Sequence, residues 1–71
     1  MVDVKALRHA MLDANCSTRE LATVCEISPS ALYRRLNGKV SFTLGEIMKC
    51  TGRLNLSAET RNQIFFAEEV S

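Results

Sequence analysis

The stretch STRELATVCEISPSALYRRLNGK, residues 17–39, decides the fold that we expect for this chain. Ser17 followed three residues later by Glu20 is the capping-box pattern, which satisfies backbone amides at a helix start. The helix predicted after it, Thr18–Cys25, has one apolar side, formed by Leu21, Ala22, Val24 and Cys25. The stretch therefore begins with a short amphipathic helix.

A corner and a second helix follow. Glu26-Ile27-Ser28 separates the two helical patterns, and Ser28 is a favourable N-cap residue. Pro29 suits the first helical position, where its missing amide hydrogen is not needed. Asn37-Gly38 tolerates the left-handed conformation of a helix end, so the second helix should end at Leu36. Helix, three-residue corner and helix together form the helix-turn-helix pattern, whose second helix can enter the major groove of DNA.

The outward side of this second helix follows from its period of about 100° per residue. Leu32 and Leu36 lie one turn apart and mark the buried side. The opposite side is polar and carries Ser30, Arg34 and Asn37, with Tyr33 beside it. Such side chains suit hydrogen bonding to base edges and phosphates. An ordinary solvated helix face is the alternative interpretation of the same residues.

The segment resembles the DNA-binding domain of the Cro and phage-repressor family, also called the XRE family. The residues that carry the resemblance are Thr18, Glu20-Leu21-Ala22, Ile27-Ser28, Leu32, Leu36 and Asn37-Gly38-Lys39. Small regulators from phages of Gram-positive hosts are also similar to Phe42-Thr43-Leu44, Glu46-Ile47 and the ending Ile64-Phe65-Phe66. The resemblance covers the chain from about Leu7 to Phe66.

This resemblance implies an all-α, lambda-repressor-like domain of five short helices with a central helix-turn-helix at 18–37. It also implies a homodimer on a double-stranded DNA operator, with the helix 29–37 in the major groove. We expect base contacts from Ser30, Tyr33 and Arg34. We expect phosphate contacts from Thr18, Arg19, Ser28, Asn37, Lys39 and Ser41. At the helix start that holds Thr18 and Arg19, simple capping is an equal alternative to phosphate binding.

Two residues depart from the family pattern. Glu26 stands at the corner position that usually holds glycine, and its backbone is expected to need a positive φ there. Pro29 stands where relatives often place a polar side chain that contacts bases. The second departure moves base reading onto Ser30, Tyr33 and Arg34.

Length and composition limit the class of protein. A length of 71 residues predicts one domain, 1–71, and 46% apolar residues are normal for a globular domain. No apolar run approaches the length of a membrane span, and the start of the chain has no signal-peptide pattern. The sequence therefore predicts a cytoplasmic protein without a membrane partner.

Charge is unevenly distributed although its sum is small. Nine basic and eight acidic side chains give a formal charge of +1, which is weak support for a nucleic-acid partner. Between residues 28 and 53, Glu46 alone opposes the basic residues Arg34, Arg35, Lys39, Lys49 and Arg53. The C-terminal part is acidic through Glu59, Glu68 and Glu69. The sequence predicts a polarised electrostatic field.

The cysteines and the histidine indicate no chemistry. Cys16, Cys25 and Cys50 cannot all pair, so their number argues against a disulfide framework. Their spacing matches no zinc pattern, and His9, the only histidine, should lie at the surface. Cys25 and Cys50 should act as small buried hydrophobes, whereas Cys16 lies in a loop and should be more exposed. We expect no catalytic residues, metal, cofactor or small-molecule ligand.

The remaining helices are predicted from the same signals. A first helix should span 3–13, with Val4, Leu7 and Met11 toward the core. Thr43 and Glu46 form a second capping box, so a fourth helix should cover 43–51 and end at Gly52. Its buried stripe should consist of Leu44, Ile47 and Met48, completed by Cys50 or Thr51. Phe42 should anchor the preceding loop to the core.

Ser57 should cap a fifth helix, near whose end two aromatic residues are adjacent. Phe65 and Phe66 point about 100° apart on a helix, so both can hardly enter one core. An exposed phenylalanine here would suit a dimer contact. The alternative is that both pack at the edge of a small core.

Together these observations favour a sequence-specific DNA-binding transcription regulator of repressor type that acts as a homodimer. The alternative is a protein-interaction module of the same fold, like an antirepressor or antitoxin. Such a module would bind a protein partner through the Phe65–Phe66 end or the acidic tail. An enzyme is not expected, because no phosphate-binding glycine loop or metal constellation is present in the sequence.

Overall fold

The computed structural model describes residues 2–67, and this part of the chain contains five α-helices and no strand. The helices are α1 Val4–Asp13, α2 Thr18–Cys25, α3 Pro29–Leu36, α4 Leu44–Leu54 and α5 Ala58–Phe65. The predicted all-α class with five short helices is confirmed. None of these helices has the length and apolarity that crossing a membrane requires.

Each helix start is fixed by a side-chain cap. The capping residues Asp3, Ser17, Ser28, Thr43 and Ser57 each accept a hydrogen bond from a backbone amide three residues further on. These bonds satisfy donors that have no partner within the first helical turn. The predicted caps are confirmed, and Asp3 and Thr43 precede their helices instead of forming the first helical residue.

The two predicted capping boxes differ. In α4 the box is complete. The Thr43 hydroxyl accepts a hydrogen bond from the Glu46 amide, and the Glu46 carboxylate accepts one from the Thr43 amide, both at 3.1 Å. At α2 the Ser17 hydroxyl accepts a hydrogen bond from the Glu20 amide at 3.1 Å. The Glu20 carboxylate accepts from the Ser17 hydroxyl at 3.3 Å and also from Arg53 at 3.2 Å. Glu20 therefore connects the predicted cap at Ser17 to a distant basic residue on α4.

One hydrophobic core joins all five helices. Each helix contributes at least one side chain with almost no exposed area, and the largest of these are Leu7, Leu21, Leu32, Cys50 and Ile64. α2 packs against both α3 and α4, and α1 packs against α5. The backbone amide of Asp3 donates to the Ile64 carbonyl at 2.7 Å, which fastens the start of α1 to α5. The α2–α3 pair is therefore supported from behind by α4.

The buried side of α4 differs from the prediction. Leu44 and Met48 are exposed over 69% and 51% of their area, so the predicted stripe is wrong at both positions. Ile47 is buried as predicted, and the inner side is completed by Glu46, Cys50 and Leu54. The helix is turned by about 100°, one residue step, because the Glu46 side chain points inward.

α4 also extends beyond its predicted end. It continues through Gly52 to Leu54 and ends at Asn55, whose backbone is left-handed with φ 54° and ψ 47°. Asparagine adopts this conformation more readily than other residues with a side chain, so no glycine is required for the cap. The predicted end at Gly52 is wrong, and the longer helix brings Leu54 into the core.

The three loop and terminal predictions on burial have different outcomes. Cys16 is only 5% exposed, so the expectation of an exposed thiol is wrong. Its amide donates to the Met11 carbonyl at 2.8 Å, which folds the α1–α2 corner back onto the core. Phe65 is buried and Phe66 is half exposed, which confirms that only one of the two enters the core. Phe42 anchors its loop as predicted, with its ring edge-on to that of Phe65 at 5.3 Å.

Candidate nucleic-acid interface

The corner between α2 and α3 turns at Glu26, whose backbone is left-handed with φ 60° and ψ 38°. The expected positive φ at this position is confirmed. The amides of Glu26 and Ile27 donate to the carbonyls of Thr23 and Ala22 at 3.1 and 3.0 Å, which closes α2. The Glu26 carboxylate forms an ion pair with Lys49 on α4. The corner is thus held both by its own backbone and by a neighbouring helix.

α3 presents a polar side to solvent. Leu32 and Leu36 are buried and define its inner side, as predicted. The residues predicted to contact bases, Ser30, Tyr33 and Arg34, are all exposed. Ser30 and Arg34 lie one helical turn apart, and Tyr33 lies beside them on the same outer surface. The structure therefore brings these three side chains together on one accessible helix face.

The residues predicted to contact phosphates precede and follow α3 in the chain. Arg19 at the start of α2 is exposed, as are Asn37, Lys39 and Ser41 after α3, whereas Thr18 is half-buried. The Ser28 hydroxyl is exposed and accepts the amide of Ala31 at 3.1 Å as the cap of α3.

The segment after α3 folds back over the end of that helix. Gly38 has a φ of 78°, which a residue with a side chain rarely adopts. The amide of Lys39 then donates to the carbonyl of Arg34 at 2.9 Å. The Lys39 backbone is therefore attached to the same residue whose side chain points outward from α3.

Arg35, next to Arg34 in the sequence, points the other way. Its Nε donates to Oε1 of Glu46 at 2.7 Å and its Nη2 to Oε2 at 3.1 Å, while Nη1 donates to the Ala31 carbonyl at 3.0 Å. All three guanidinium nitrogens are engaged, and the side chain is 14% exposed. Arg35 thus lies at the edge of the buried side of α3. Its pairing with Glu46 was not predicted, because the two residues share no sequence motif.

Glu46 remains ionised despite its burial. Burial alone would raise the pKa of its carboxyl, but hydrogen bonds from Arg35 and from the Thr43 backbone amide outweigh that effect. The pKa of Glu46 is therefore lowered from its ordinary value. The result is a charged, hydrogen-bonded pair between the end of α3 and the start of α4.

Ion pairs neutralise three of the five basic side chains between residues 28 and 53. Arg35 pairs with Glu46, while Lys49 and Arg53 pair with the α2 residues Glu26 and Glu20. The polarisation expected from the count is therefore weaker than predicted, since two of these carboxylates lie outside the counted range. Glu68 and Glu69, which were expected to make the end of the chain acidic, lie outside the described residues.

Three of the basic side chains predicted to contact DNA have no ion-pair partner in the described part of the chain. Within residues 2–67, Arg19, Arg34 and Lys39 have no carboxylate within ion-pair distance. Lys5, Arg8 and Arg61 on α1 and α5 are unpaired in the same part of the chain. Free positive charge is thus present at the α3 face but is not confined to it.

The groove beside α3 and the paired thiols have the following chemistry. The groove beside the end of α3, about 550 Å³ in volume, is mostly apolar, and Arg35, its one charged lining residue, is already paired. Cys25 and Cys50 are buried with their sulfur atoms 3.2 Å apart, and burial raises the pKa of the Cys50 thiol. A protonated thiol is a poor nucleophile. Over residues 2–67, no three metal-binding side chains converge.

Comparison with known proteins assigns the sequence to no family. No protein-family model matches the sequence, and no match was found among curated proteins. The resemblance to the Cro and phage-repressor family therefore depends on the residues quoted above.

Proposed function

We propose that this protein is a sequence-specific DNA-binding transcription regulator, similar to the Cro and phage-repressor (XRE) family and lambda-repressor-like in fold. The observation that carries the proposal is the α3 face. Ser30, Tyr33 and Arg34 are exposed together on a helix that follows a tight corner, and Leu32 and Leu36 fix the helix to the core. An exposed, polar, well-anchored second helix is what major-groove recognition requires.

In this proposal α3 lies in the major groove, and Arg34 makes the main base-specific contact. The Arg34 side chain has no carboxylate partner among residues 2–67, so its donor fork is available. A guanidinium pairs in a bidentate way with O6 and N7 of guanine. Ser30 and Tyr33 offer hydroxyl groups to neighbouring base edges.

Side chains on either side of α3 would hold the protein to the DNA backbone. Lys39 and Ser41, with Asn37, lie in the segment after α3, and Arg19 and Ser28 lie at helix starts on the other side. Phosphate contacts position a protein on the duplex but carry no base information. Thr18 is the weakest of the proposed contacts, because its side chain is half-buried.

A homodimer would supply the affinity that one small module lacks. A single module of this size buries about 600–1,000 Å² on DNA, and two half-sites one helical turn apart add their binding energies. The half-exposed Phe66 supports a dimer contact at the end of α5. Occupancy of an operator would then suffice for repression.

A second candidate function is a protein-interaction module of the antirepressor or antitoxin kind. It is favoured by Leu44 and Met48, which lie one turn apart on the outer side of α4 and are both exposed. An apolar strip of this kind suits a protein partner better than a phosphate backbone. The neutralisation of Arg35, Lys49 and Arg53 by carboxylates also favours it.

Selection of bound sites from random duplexes, followed by a salt series, tests the proposal. We expect a two-fold symmetric consensus and a binding constant that falls steeply with salt, since phosphate contacts release counterions. A scrambled duplex serves as the control for nonspecific binding. Absence of duplex binding even at low salt would reject the DNA function and favour the protein-interaction module.

A further inference from the structure

We propose that Arg35 and Glu46 are positioning residues for the DNA interface, which they place without touching the DNA themselves. Through their contact the end of α3 is joined to the start of α4, and the segment 37–43 between them is held in one conformation. That segment carries Lys39 and Ser41, two of the proposed phosphate contacts. The inference rests on the proposed function and adds to it a mechanism for setting the phosphate contacts.

The contact has the geometry that fixes orientation as well as distance. Two parallel hydrogen bonds, of 2.7 and 3.1 Å, join the guanidinium of Arg35 to the carboxylate of Glu46. A third bond, to the carbonyl of Ala31 at 3.0 Å, fixes the guanidinium against its own helix. Paired bonds between two planar groups resist rotation, which a single ammonium contact does not.

Glu46 extends the connection to the far end of the segment. Its Oε1, which accepts from Arg35, also accepts the backbone amide of Thr43 at 3.1 Å. Thr43 in turn caps α4 through the amide of Glu46. One carboxylate oxygen therefore ties together the end of α3, the last residue of the segment and the first turn of α4.

The near end of the segment is attached to α3 by its backbone. The amide of Lys39 donates to the Arg34 carbonyl, and the amide of Gly38 donates to the Arg35 carbonyl at 3.1 Å. Between these two attachments the ring of Phe42 packs into the core. The Arg35–Glu46 contact directly joins the two helices that this segment connects, and it adds to their shared packing against α2.

A positioning role also explains why a charged pair occupies this site. A buried ion pair contributes little net stability compared with apolar side chains of similar volume, because both charges lose their hydration. A buried ion pair does specify the relative position of the groups it joins. Here it would set the position of Lys39, the proposed phosphate contact, relative to the outward-pointing Arg34. Of the two adjacent arginines, Arg34 would contact the bases and Arg35 would position the segment that contacts the phosphates.

The variant Arg35→Lys tests this inference, because it keeps the charge and removes the paired hydrogen bonds. Glu46→Gln is the second variant, since it keeps an acceptor for the Thr43 amide and removes the charge. Arg61→Lys on α5 is the matched control, because Arg61 bonds only the adjacent Asn62 among the described side chains. Circular dichroism melts identify a temperature at which every variant is folded, and binding is measured there.

The decisive measurement is a double-mutant cycle with Lys39→Ala on the selected operator. If Arg35 aligns Lys39, then Lys39→Ala should cost at least about threefold less affinity in the Arg35→Lys background than in the unmodified protein. Arg35→Lys should also make the salt dependence shallower although it changes no charge. The inference would be overturned if the affinity losses of Lys39→Ala and Arg35→Lys simply multiplied in the double variant and if Arg35→Lys left the salt dependence of binding unchanged.

Amide hydrogen exchange on the free protein provides a readout without DNA. We expect faster exchange at residues 38–43 in both Arg35→Lys and Glu46→Gln, with α5 unchanged and Arg61→Lys like the unmodified protein. Unchanged exchange at 38–43 would count against the inference. If the unmodified protein bound no duplex, the proposed function would be rejected as well. If it bound the operator but the two substitutions had independent effects in the double-mutant cycle, the inference alone would be rejected.

Discussion

The outer sides of α3 and α4 are both exposed helix surfaces, yet they offer different chemistry. α3 shows the polar side chains Ser30, Tyr33 and Arg34, whereas α4 shows Leu44 and Met48. The first surface suits bases and phosphates, and the second suits an apolar partner. The two candidate functions therefore fall on different surfaces, which single substitutions can separate.

The largest effect should come from Arg34→Ala on the α3 surface. We expect a loss of about 1–3 kcal/mol per half-site on the selected operator and a relaxed preference at one base pair, because a bidentate base contact disappears. Titrations of the selected and scrambled duplexes at several salt concentrations measure both effects.

Lys39→Ala is the matched contrast for Arg34→Ala. As a phosphate contact, Lys39 should support specific and nonspecific binding alike, and its removal should make the salt slope shallower by about one unit per protomer. If Arg34→Ala gave the same result on both duplexes, Arg34 would be a backbone contact. Base reading would then depend on Ser30 and Tyr33.

A somewhat smaller effect is expected for Phe66→Lys on self-association. Burial of a half-exposed phenylalanine in a dimer contributes about 1–2 kcal/mol, so the dimer should weaken about tenfold with helicity preserved. Met48→Lys is the matched control on α4, because Met48 and Phe66 are exposed to nearly the same extent, 51% and 50%.

Sedimentation equilibrium with and without DNA decides between these two apolar sites. Dissociation by Met48→Lys but not by Phe66→Lys would place the interface on the α4 surface. A monomeric unmodified protein at high micromolar concentration, in both conditions, would exclude the proposed homodimer.

Acid should weaken the contact between α3 and α4. The pKa of Glu46 is lowered in the folded state, so its contribution to stability is fully present above its ordinary value of 4.5 and is lost as pH falls through the lowered pKa. We expect the free energy of unfolding to fall below about pH 4.5, and Glu46→Gln to make that fall shallower.

Urea unfolding at pH 7 and pH 3 measures this effect. Glu20→Gln is a useful control, because Glu20 also has a lowered pKa, through its hydrogen bond from Arg53, but lies exposed. Added salt should screen the Glu20 contribution more than that of Glu46. If the free energy of unfolding fell equally between pH 7 and pH 3 in the unmodified protein and in Glu46→Gln, the contact between Arg35 and Glu46 would not be the cause of the loss of stability in acid.

The smallest effect is expected at the corner that sets the direction of α3. A residue with a side chain in the left-handed region is strained relative to glycine, although glycine gains entropy in the unfolded chain. Glu26→Gly should therefore raise the melting temperature by a few degrees, about 2–5 °C. Glu26→Gln is the control, because it removes the Lys49 ion pair and keeps the strain. A clear fall with Glu26→Gly would mean that the ion pair outweighs the strain.

The parts of the fold that were predictable from sequence depend on neighbours within one turn. The caps at Ser28 and Thr43, the buried side of α3 and the positive φ of Glu26 all follow from residues at most four positions apart. Local rules determine these features because the groups that satisfy one another are covalently close. The exposure of Ser30, Tyr33 and Arg34 follows from the same short-range period, while their contact with DNA stays a prediction.

The side-chain contacts that were missed join residues far apart in the sequence. Glu20 pairs with Arg53, which lies 33 positions later, and Glu46 pairs with Arg35, 11 positions earlier. The second contact lies on the inner side of α4, and Leu44 and Met48 lie on its outer side. Hydrophobic periodicity assumes that the apolar residues choose the buried side, and it fails where a paired carboxylate competes for that side.

The three buried cysteines allow the opening of the core to be measured by their reactivity. Cys16, Cys25 and Cys50 are shielded, and Cys25 and Cys50 join α2 to α4 across the core. An alkylating reagent can reach that pair only when the two helices separate, so the rate of labelling, followed by mass spectrometry, measures how often the core opens. Any duplex that binds only the folded protein must slow this labelling in proportion to its occupancy. Screening of operator sequences would then need no dye, tag or immobilised surface.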